Sequence, residues 1–300
     1  MQTLVQAVRA GVRPDAVKAI AGRLSAGLGD FLGPGSEGPT GILLYHRICP
    51  HYPGLPAPTM NVTPSRFRAQ VRGLLALGFD IWPLSRLLDH QAAGRPVPPR
   101  TVAITFDDTP ASVYHYAWPT LRELRVPACS FLATAYLDSD DPFPFDPWGV
   151  AHASRLPPVA YRCLTSAQCR EMQDSGLMEL GPHTHTHADF RGRPADFEAD
   201  LARSVAEMRA RFGSGELFAF PFGRRALGFV TPELLAAARR TGVRCALTTE
   251  ADPLRAADDP FCWGRFNVYE WDTAGTLAGK LSGWYGWAPR VQEWLGQREN

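Results

Sequence analysis

Short apolar runs alternate with amphipathic segments along most of this 300-residue chain. VAITF at 102–106 is a continuous apolar run, as expected of a strand buried on both faces of a parallel sheet. Alternating strands and helices predict an α/β fold with a parallel sheet, and about 260 residues is a normal size for one barrel domain. The other predicted strands are GILLY (41–45), PACSFLA (127–133), MELG (178–181), LFAFP (217–221), RCALT (244–248) and RFNV (265–268).

Capping residues and glycines mark the helices between these strands. Threonine followed by proline favours a helix start, because threonine caps well and proline is tolerated in the first turn. The predicted helices run from Pro64 to about Leu77, from a Ser112 cap through Leu124, from a Thr165 cap to Gly176, over 194–212 before Gly213, and from Thr231 to Gly242. We assign residues 1–38 to an N-terminal helical segment and linker, and residues 39–300 to the barrel domain.

Composition excludes several classes of function. The net charge of +1 gives no electrostatic reason for nucleic-acid binding, and no apolar run approaches the length of a transmembrane segment. Residues 2–28 lack the continuous apolar stretch of a secretion signal, so we expect a cytoplasmic protein. The same segment is mildly basic and amphipathic, which fits either packing on the domain or a membrane-peripheral position. Cys129 and Cys245, two of six cysteines without metal or disulfide spacing, are expected to be small buried strand residues.

Polar or unusual residues follow five of the predicted strands. In parallel α/β folds, functional groups collect at the carboxyl ends of the strands, so these segments are expected to assemble one active site. The five segments are Tyr45-His46, Asp107-Asp108, His183 to His187, Pro221-Phe222-Gly223 and Thr248-Thr249.

Two adjacent aspartates after a buried strand are costly unless they have partners. Because successive side chains of a strand point to opposite sides, Asp107 and Asp108 can take different roles, one binding a metal and the other acting as a base. The alternative interpretation is a pair of turn or helix-capping aspartates.

The segment GPHTHTHADF (181–190) contains three histidines at every second position. His183 and His187 are four apart, a separation that zinc sites use on a helical turn or in a tight loop, whereas His185 has the wrong phase for that face. In an extended strand all three would instead share one face, but the preceding Gly-Pro favours a loop. Two histidines and one carboxylate leave coordination positions open, as a catalytic metal requires.

Three of these segments together resemble the polysaccharide deacetylase family, also called the NodB homology domain or carbohydrate esterase family four. AITFDDTPASVYHYAWPTL, MELGPHTHTHADF and FAFPFG occur in the family's order with similar spacing, within a resemblance that runs from about residue 40 to about residue 270. LLYHRICP resembles the start of the branch that contains the biofilm poly-N-acetylglucosamine deacetylases. The resemblance implies a distorted, incomplete (β/α) barrel and a metal-dependent hydrolase that removes N-acetyl or O-acetyl groups from a glycan or glycan precursor.

The resemblance also implies a metal site and a base. Asp107, the first aspartate of the TFDD motif, corresponds to the general base, and Asp108 to a metal ligand. His183 and His187 correspond to the two histidine ligands, and His185 to a variable position between them. The implied metal is divalent, with zinc expected and cobalt or nickel as alternatives.

The segment Pro221-Phe222-Gly223 is similar to the family's Pro-aromatic-Gly motif. The resemblance implies that the backbone N–H of Phe222 helps to bind the oxyanion, and that Pro221 and Gly223 contribute to substrate binding. The aromatic loop DPFPFDPWGV (141–150) either lines a sugar-binding groove, with Trp148 as the first candidate, or is a proline-stiffened loop that covers the barrel.

The chain departs from the family pattern at three places. Thr109 stands where glycine is usual, next to the substrate, and would be strained if the position needs a positive φ. Ala219 stands where an arginine often orients the base; Arg265 is either its substitute or an ordinary surface or interface arginine. The late Leu-x-His motif that supplies the acid is missing, so His46 is either its replacement or a core histidine.

Other functions remain as hypotheses at this level. A hydrolase of a non-sugar amide or imide would use the same fold and site, and a catalytically impaired glycan-binding relic would explain Thr109. A two-histidine, one-carboxylate iron oxygenase would need a His-x-Asp or His-x-Glu pair on an antiparallel barrel, and neither feature is predicted here.

Overall fold

The computed structural model describes residues 40–58, 60–255 and 257–283. The predicted N-terminal helical segment and linker, residues 1–38, lie outside the described residues. The strands are β1 (Gly41–Tyr45), β2 (Arg47–Ile48), β3 (Asn61–Val62), β4 (Asp80–Ile81), β5 (Thr101–Phe106), β6 (Ala128–Leu132), β7 (Met178–Pro182), β8 (Leu217–Ala219), β9 (Cys245–Leu247) and β10 (Phe266–Asn267).

Helices follow most of the strands, as the alternating pattern predicts. They are α1 (Pro64–Ala76), α2 (Leu84–Ala92), α3 (Trp118–Leu124), α4 (Pro147–His152), α5 (Ser166–Asp174), α6 (Pro194–Phe212), α7 (Pro232–Arg240) and α8 (Ala274–Leu281). A π-helical turn, Val113–Ala117, precedes α3, and short 3-10 turns occur in several loops.

Threonine side chains cap the starts of α5, α7 and α8, but the start of α1 at Thr63-Pro64 and the start of α3 have no side-chain cap. The Thr165 and Thr231 hydroxyls accept hydrogen bonds from backbone N–H groups at the starts of α5 and α7, which confirms both predicted caps. Ser112 was also predicted to cap a helix, and that prediction is wrong. Its backbone is already helical and its buried hydroxyl has no hydrogen-bond partner in the described part of the chain, because a π-helical turn replaces the expected first turn.

The main sheet is parallel, with the strand order β10-β1-β5-β6-β7. β4 pairs with the first residues of β5, and β6 pairs with its last two. β8 and β9 form a separate parallel pair. The sheet is therefore interrupted beside β7, and the α/β fold is confirmed as a distorted, incomplete barrel.

Two layers of packing follow from the alternation of side chains along the strands. One set of strand residues packs in the barrel interior, including Ile42, Ala103 and Phe131. The other set, including Leu43 and Ile104, packs under the helices in one cluster with Phe67 of α1. Cys129 and Cys245 are fully buried strand residues with free thiols, as predicted.

β8 passes close to the end of β7 in spite of the interruption. A Cβ at Gly181 would lie 2.1 Å from the carbonyl oxygen of Leu217, so only glycine permits this approach. The approach places the residues after β7 beside the backbone of β8, where the histidine segment begins. Among the described residues, no helix has the length and apolar character needed to cross a bilayer.

Candidate metal centre

Asp108, His183 and His187 come together at the carboxyl ends of β5 and β7. One potential ligand atom from each residue lies within 4.8 Å of the other two. His187 Nε2 is 3.2 Å and His183 Nε2 is 3.6 Å from Asp108 Oδ1. The structure therefore brings together the three residues that the sequence singled out as metal ligands.

The surroundings of His183 fix the direction of its free lone pair. His183 Nδ1 lies 2.7 Å from the carbonyl oxygen of Ala219, which can only accept, so Nδ1 must carry the proton. The lone pair is then on Nε2, the atom that faces Asp108. Metal-binding histidines commonly donate their other ring N–H to a backbone carbonyl in this way.

These three residues fit a divalent cation. Asp108 Oδ1 is a buried atom without a hydrogen bond of suitable geometry in the described residues, although two imidazoles lie close to it. Burial raises the pKa of the Asp108 carboxyl, but the adjacent His187 and His183 outweigh this and hold the pKa well below its usual range. An ionised oxygen and two imidazole nitrogens form a donor set typical of zinc.

Left-handed backbone conformations concentrate around this centre. Residues other than glycine rarely adopt a positive φ, and when they do the strain is often found at functional sites. Five such residues occur in the three motif segments: Asp108 (φ 58°), Thr109 (φ 32°), Thr184 (φ 61°), His187 (φ 54°) and Phe222 (φ 62°). The position of Thr109 therefore has the positive φ that would suit the family's glycine.

Asp107 lies beside the metal centre but has a different partner. It shares the phase of Ala103 and Thr105 along β5, so its side chain points into the barrel. There the buried Arg265 donates to both carboxylate oxygens, at 2.6 and 2.7 Å. Arg265 is held in turn by the carbonyl of Thr248 at 3.0 Å. Arg265 is therefore a fully buried partner of Asp107, which excludes the surface alternative.

The charge of Asp107 is maintained by this pairing. Burial raises the pKa of the Asp107 carboxyl, but Arg265, together with His183 and His46, outweighs the burial and lowers the pKa below its usual value. Asp107 Oδ2 is 3.8 Å from His183 Nε2. An ionised carboxylate is therefore available next to the metal centre without being required as a ligand.

A cavity of about 490 Å³ opens at this end of the barrel. The predicted site residues that line it are His46, Asp107, Asp108, His183, His187 and Phe222. Burial lowers the pKa of His46, although Asp108 and Asp107 oppose this shift. The backbone N–H of Phe222 has no hydrogen-bond partner among the described residues, so it can bind another acceptor.

Four residues predicted to bind substrate do not line this cavity: Thr109, Pro221, Gly223 and Trp148. The Thr109 hydroxyl is buried and donates to the carbonyl of Phe131 at 3.0 Å. Gly223 has a positive φ and approaches Thr249, so its role is to shape the turn. The side chain of Trp148 is buried, because its Nε1 donates to the carbonyl of Pro56 and Arg47 covers its ring. The loop-covering interpretation therefore fits Trp148 better than the sugar-binding one.

The same loop supplies a cavity residue that the sequence interpretation missed. The ring of Phe145 stacks on His187 at a centroid distance of 3.9 Å, and Phe222 makes an edge-to-face contact with His187 at 4.9 Å. A partly buried ion pair joins Arg47, which directly follows His46, to Asp146, which directly follows Phe145, and so connects this loop to the segment after β1. The clustered aromatics of DPFPFDPWGV were a signal for a cavity wall, but they did not indicate which ring faces the histidine.

His185 is directed away from the metal centre. Its Nδ1 lies 2.9 Å from the hydroxyl of Thr134 and 3.6 Å from Glu207 of α6.

We predict that His187→Ala abolishes stoichiometric zinc binding while His185→Ala retains one zinc per chain, as measured by metal analysis after dialysis. Loss of zinc in both variants would contradict this choice of ligands.

The buried His183 should make the metal-free protein sensitive to acid. Burial lowers the pKa of His183 to about 4, with Asp107 and Asp108 opposing the shift, whereas a histidine in the unfolded chain titrates near 6.5. Between these values the unfolded chain binds the proton and the native one does not, so the free energy of unfolding decreases as pH falls. We expect a loss of about 3 kcal/mol from His183 between pH 6.5 and 4, measured by urea unfolding. His183→Gln should show a flatter pH profile, and an equal slope in both proteins would refute the prediction.

Comparison with known proteins places this geometry in a family. Residues 94–246, just over half of the chain, match the family model described as polysaccharide deacetylase. The chain therefore belongs to the polysaccharide deacetylase family.

It is 27% identical over 196 residues to a poly-β-1,6-N-acetyl-D-glucosamine N-deacetylase of Staphylococcus epidermidis, covering 63% of this chain and 62% of that protein. A protein of the same name from Staphylococcus aureus MRSA252 is 24% identical over 173 residues, or 54% of each chain. The similarity thus spans less than two thirds of these relatives.

Solved structures show the same fold. IcaB from Ammonifex degensii matches with a TM-score of 0.67 and 24% identity, covering 82% of this chain and 98% of that one. The Streptococcus pyogenes deacetylase PplD, in complex with acetate, matches with a TM-score of 0.65 and 19% identity over 82% of this chain and 99% of that one. A de-N-acetylase from Aggregatibacter actinomycetemcomitans matches with a TM-score of 0.66 and 19% identity, covering 80% of this chain and 98% of that one.

Proposed function

We propose that the protein is a zinc-dependent hydrolase that removes N-acetyl groups from a polymer of N-acetylglucosamine. The observation that carries the proposal is the division of roles between adjacent aspartates: Asp108 faces two histidines, whereas both oxygens of Asp107 are held by a buried arginine. A ligand and a separate base are what hydrolysis of an amide by an activated water needs. The names of the staphylococcal relatives support the choice of substrate.

Asp108, His183 and His187 would hold the zinc, with cobalt or nickel as alternatives. When bound, the metal supplies a Lewis acid that polarises the acetyl carbonyl and lowers the pKa of a water molecule. His183 contributes to this site by remaining neutral near pH 7, because burial lowers its pKa to about 4.

Asp107 takes a proton from the attacking water. Arg265 keeps the carboxylate ionised and fixes its plane through two hydrogen bonds, while the remaining lone pairs of the carboxylate stay available. This arrangement orients the base before substrate arrives, which lowers the entropic cost of reaching the transition state.

Phe222 acts on the carbonyl oxygen of the amide, and His46 acts on its nitrogen. The N–H of Phe222 donates a hydrogen bond to the carbonyl oxygen as negative charge develops on it. His46 lines the same cavity and, in its protonated form, which Asp108 and Asp107 favour against burial, donates a proton to the nitrogen as its bond to the acetyl carbon breaks. The products are acetate and a free amine, so one water molecule is consumed for each acetyl group removed.

The test is a product assay on defined glycans. Oligomers of β-1,6-linked and β-1,4-linked N-acetylglucosamine are incubated with the purified protein, and acetate release and oligomer mass are measured. We expect deacetylated β-1,6-linked oligomers, loss of activity after chelation, and recovery with zinc or cobalt. Acetate release only from small non-sugar amides would favour the amide-hydrolase alternative, and no hydrolysis by the zinc-loaded protein would favour a glycan-binding relic.

A further inference from the structure

One face of α6 lies against the loop that joins the two histidine ligands. Asp200, Ser204 and Glu207 are spaced four and three residues apart, so they share this face. All three approach residues of the segment 184–186. The helix therefore supports the loop that joins His183 and His187, through three residues that do not line the cavity.

Asp200 provides the densest set of contacts. Its Oδ1 accepts hydrogen bonds from the backbone N–H groups of His185, at 2.6 Å, and Thr186, at 3.1 Å. Its Oδ2 accepts from the Thr186 hydroxyl at 2.7 Å. Hydrogen bonds to an ionised acceptor are stronger than neutral ones, so this single side chain binds two consecutive residues of the loop firmly.

Ser204 adds a second point of attachment one turn along the helix. Its hydroxyl donates to the carbonyl of Thr184 at 3.0 Å and accepts from Thr134, at 3.0 Å. Thr134 is also the residue that contacts His185 Nδ1. The middle histidine of the segment is thus part of the support between the loop and α6.

The loop needs this support because its backbone is strained at both ends. Thr184 and His187 have positive φ angles, and the residues bound by Asp200 lie between them. Without the carboxylate, the loop can relax toward ordinary backbone angles, and His187 would then shift relative to His183 on β7. We propose that Asp200 is a positioning residue that sets the distance between the two histidine ligands; this rests on the proposed metal site.

The experiment measures zinc affinity instead of turnover. The zinc dissociation constant is determined by competition with a chromogenic chelator, and the melting temperature of the metal-free protein is recorded in parallel. Asp200→Ala is expected to raise the dissociation constant about 10- to 100-fold. Asp200→Asn has the same shape: its amide oxygen can accept from both backbone N–H groups and its NH2 can donate to the Thr186 hydroxyl, but it lacks the charge, so its dissociation constant should lie between those of the native protein and Asp200→Ala. Asp196→Ala is the matched control, because Asp196 lies on α6 and, in the part of the chain that the structure describes, its side chain pairs only with the exposed Arg193.

Two results would overturn the proposal: an unchanged zinc affinity in Asp200→Ala, or an affinity in Asp200→Asn as weak as in Asp200→Ala. A purely structural role would lower the melting temperature of the metal-free protein without changing zinc affinity, and would also refute it. Should Asp200→Ala fail to fold, Ser204→Ala decides, since it removes the bond to Thr184 and is expected to weaken zinc binding several-fold; native affinity in that variant counts against the proposal. Failure of the unmodified protein to bind zinc would refute the proposed function itself.

Discussion

Asp107→Asn is expected to lower kcat by about 10²- to 10⁴-fold while zinc stays bound. Activity should fall because the asparagine amide cannot take the proton from water. Zinc should stay bound because Asp107 is not one of the three candidate ligands. The variant retains one oxygen acceptor for Arg265, so the side chain can stay in place. The measurement is steady-state deacetylation of β-1,6-linked oligomers together with zinc content in the same samples.

The neighbouring aspartate gives the matched control. Asp108→Asn makes the same chemical change one residue later, but it removes a ligand charge and should lose zinc and activity together. A fully active Asp107→Asn protein with normal zinc content would eliminate Asp107 as the base. Loss of zinc in Asp107→Asn would instead show that the two aspartates share the metal.

Arg265→Met is expected to destabilise the metal-free protein by about 3–5 kcal/mol, because it leaves the buried Asp107 carboxylate without its counterion. The pKa of Asp107 should rise in the variant, since burial raises it and Arg265 is the largest opposing influence. Any remaining activity should therefore decline at a higher pH on the acid side than in the native enzyme. Urea unfolding and a pH–rate profile measure the two effects.

A double variant separates the ion pair from general damage to the core. Asp107→Asn with Arg265→Met removes both charges, so its loss of stability should be smaller than the sum of the two single losses. Arg265→Lys retains the charge but not the two-pronged geometry, and we expect intermediate stability with low activity. Additive losses in the double variant would mean that the pair contributes little beyond packing.

The grouping of Asp108, His183 and His187 could be predicted from the sequence, because these residues follow predicted strands of a parallel sheet. His183 and His187 follow one strand, Asp108 follows another, and parallel strands bring their carboxyl ends together. Arg265 was left as one of two alternatives, since only the pairing of β10 with β1 places it near Asp107. Long-range register of this kind cannot be deduced from hydrophobic pattern alone.

The errors have physical causes that differ from residue to residue. Trp148 was considered as a sugar-stacking residue, but an exposed ring and a buried one have the same sequence signal, and the contact with Arg47 could not be foreseen. Asp200 was missed. A signal was present, because Ser204 is a polar residue at a position on the buried side of α6, and a buried hydroxyl there indicates hydrogen-bonding partners on that side. Ser112 suggested a helix cap, and nothing in the sequence distinguished a π-helical turn from an α-helical one.

The pairing of β1 with β10 has a consequence for how binding and chemistry are coupled. His46 follows β1 and Arg265 precedes β10, and these two strands are hydrogen-bonded neighbours at one side of the sheet, in the register Leu43 to Phe266. The three candidate ligands lie elsewhere, after the ends of β5 and β7, inside the segment 94–246 that matches the family. Local separation of this one seam would withdraw Arg265 from Asp107, whereas His46 would stay in place because β1 also pairs with β5. The three candidate ligands would then remain together while the carboxylate beside them lost its counterion.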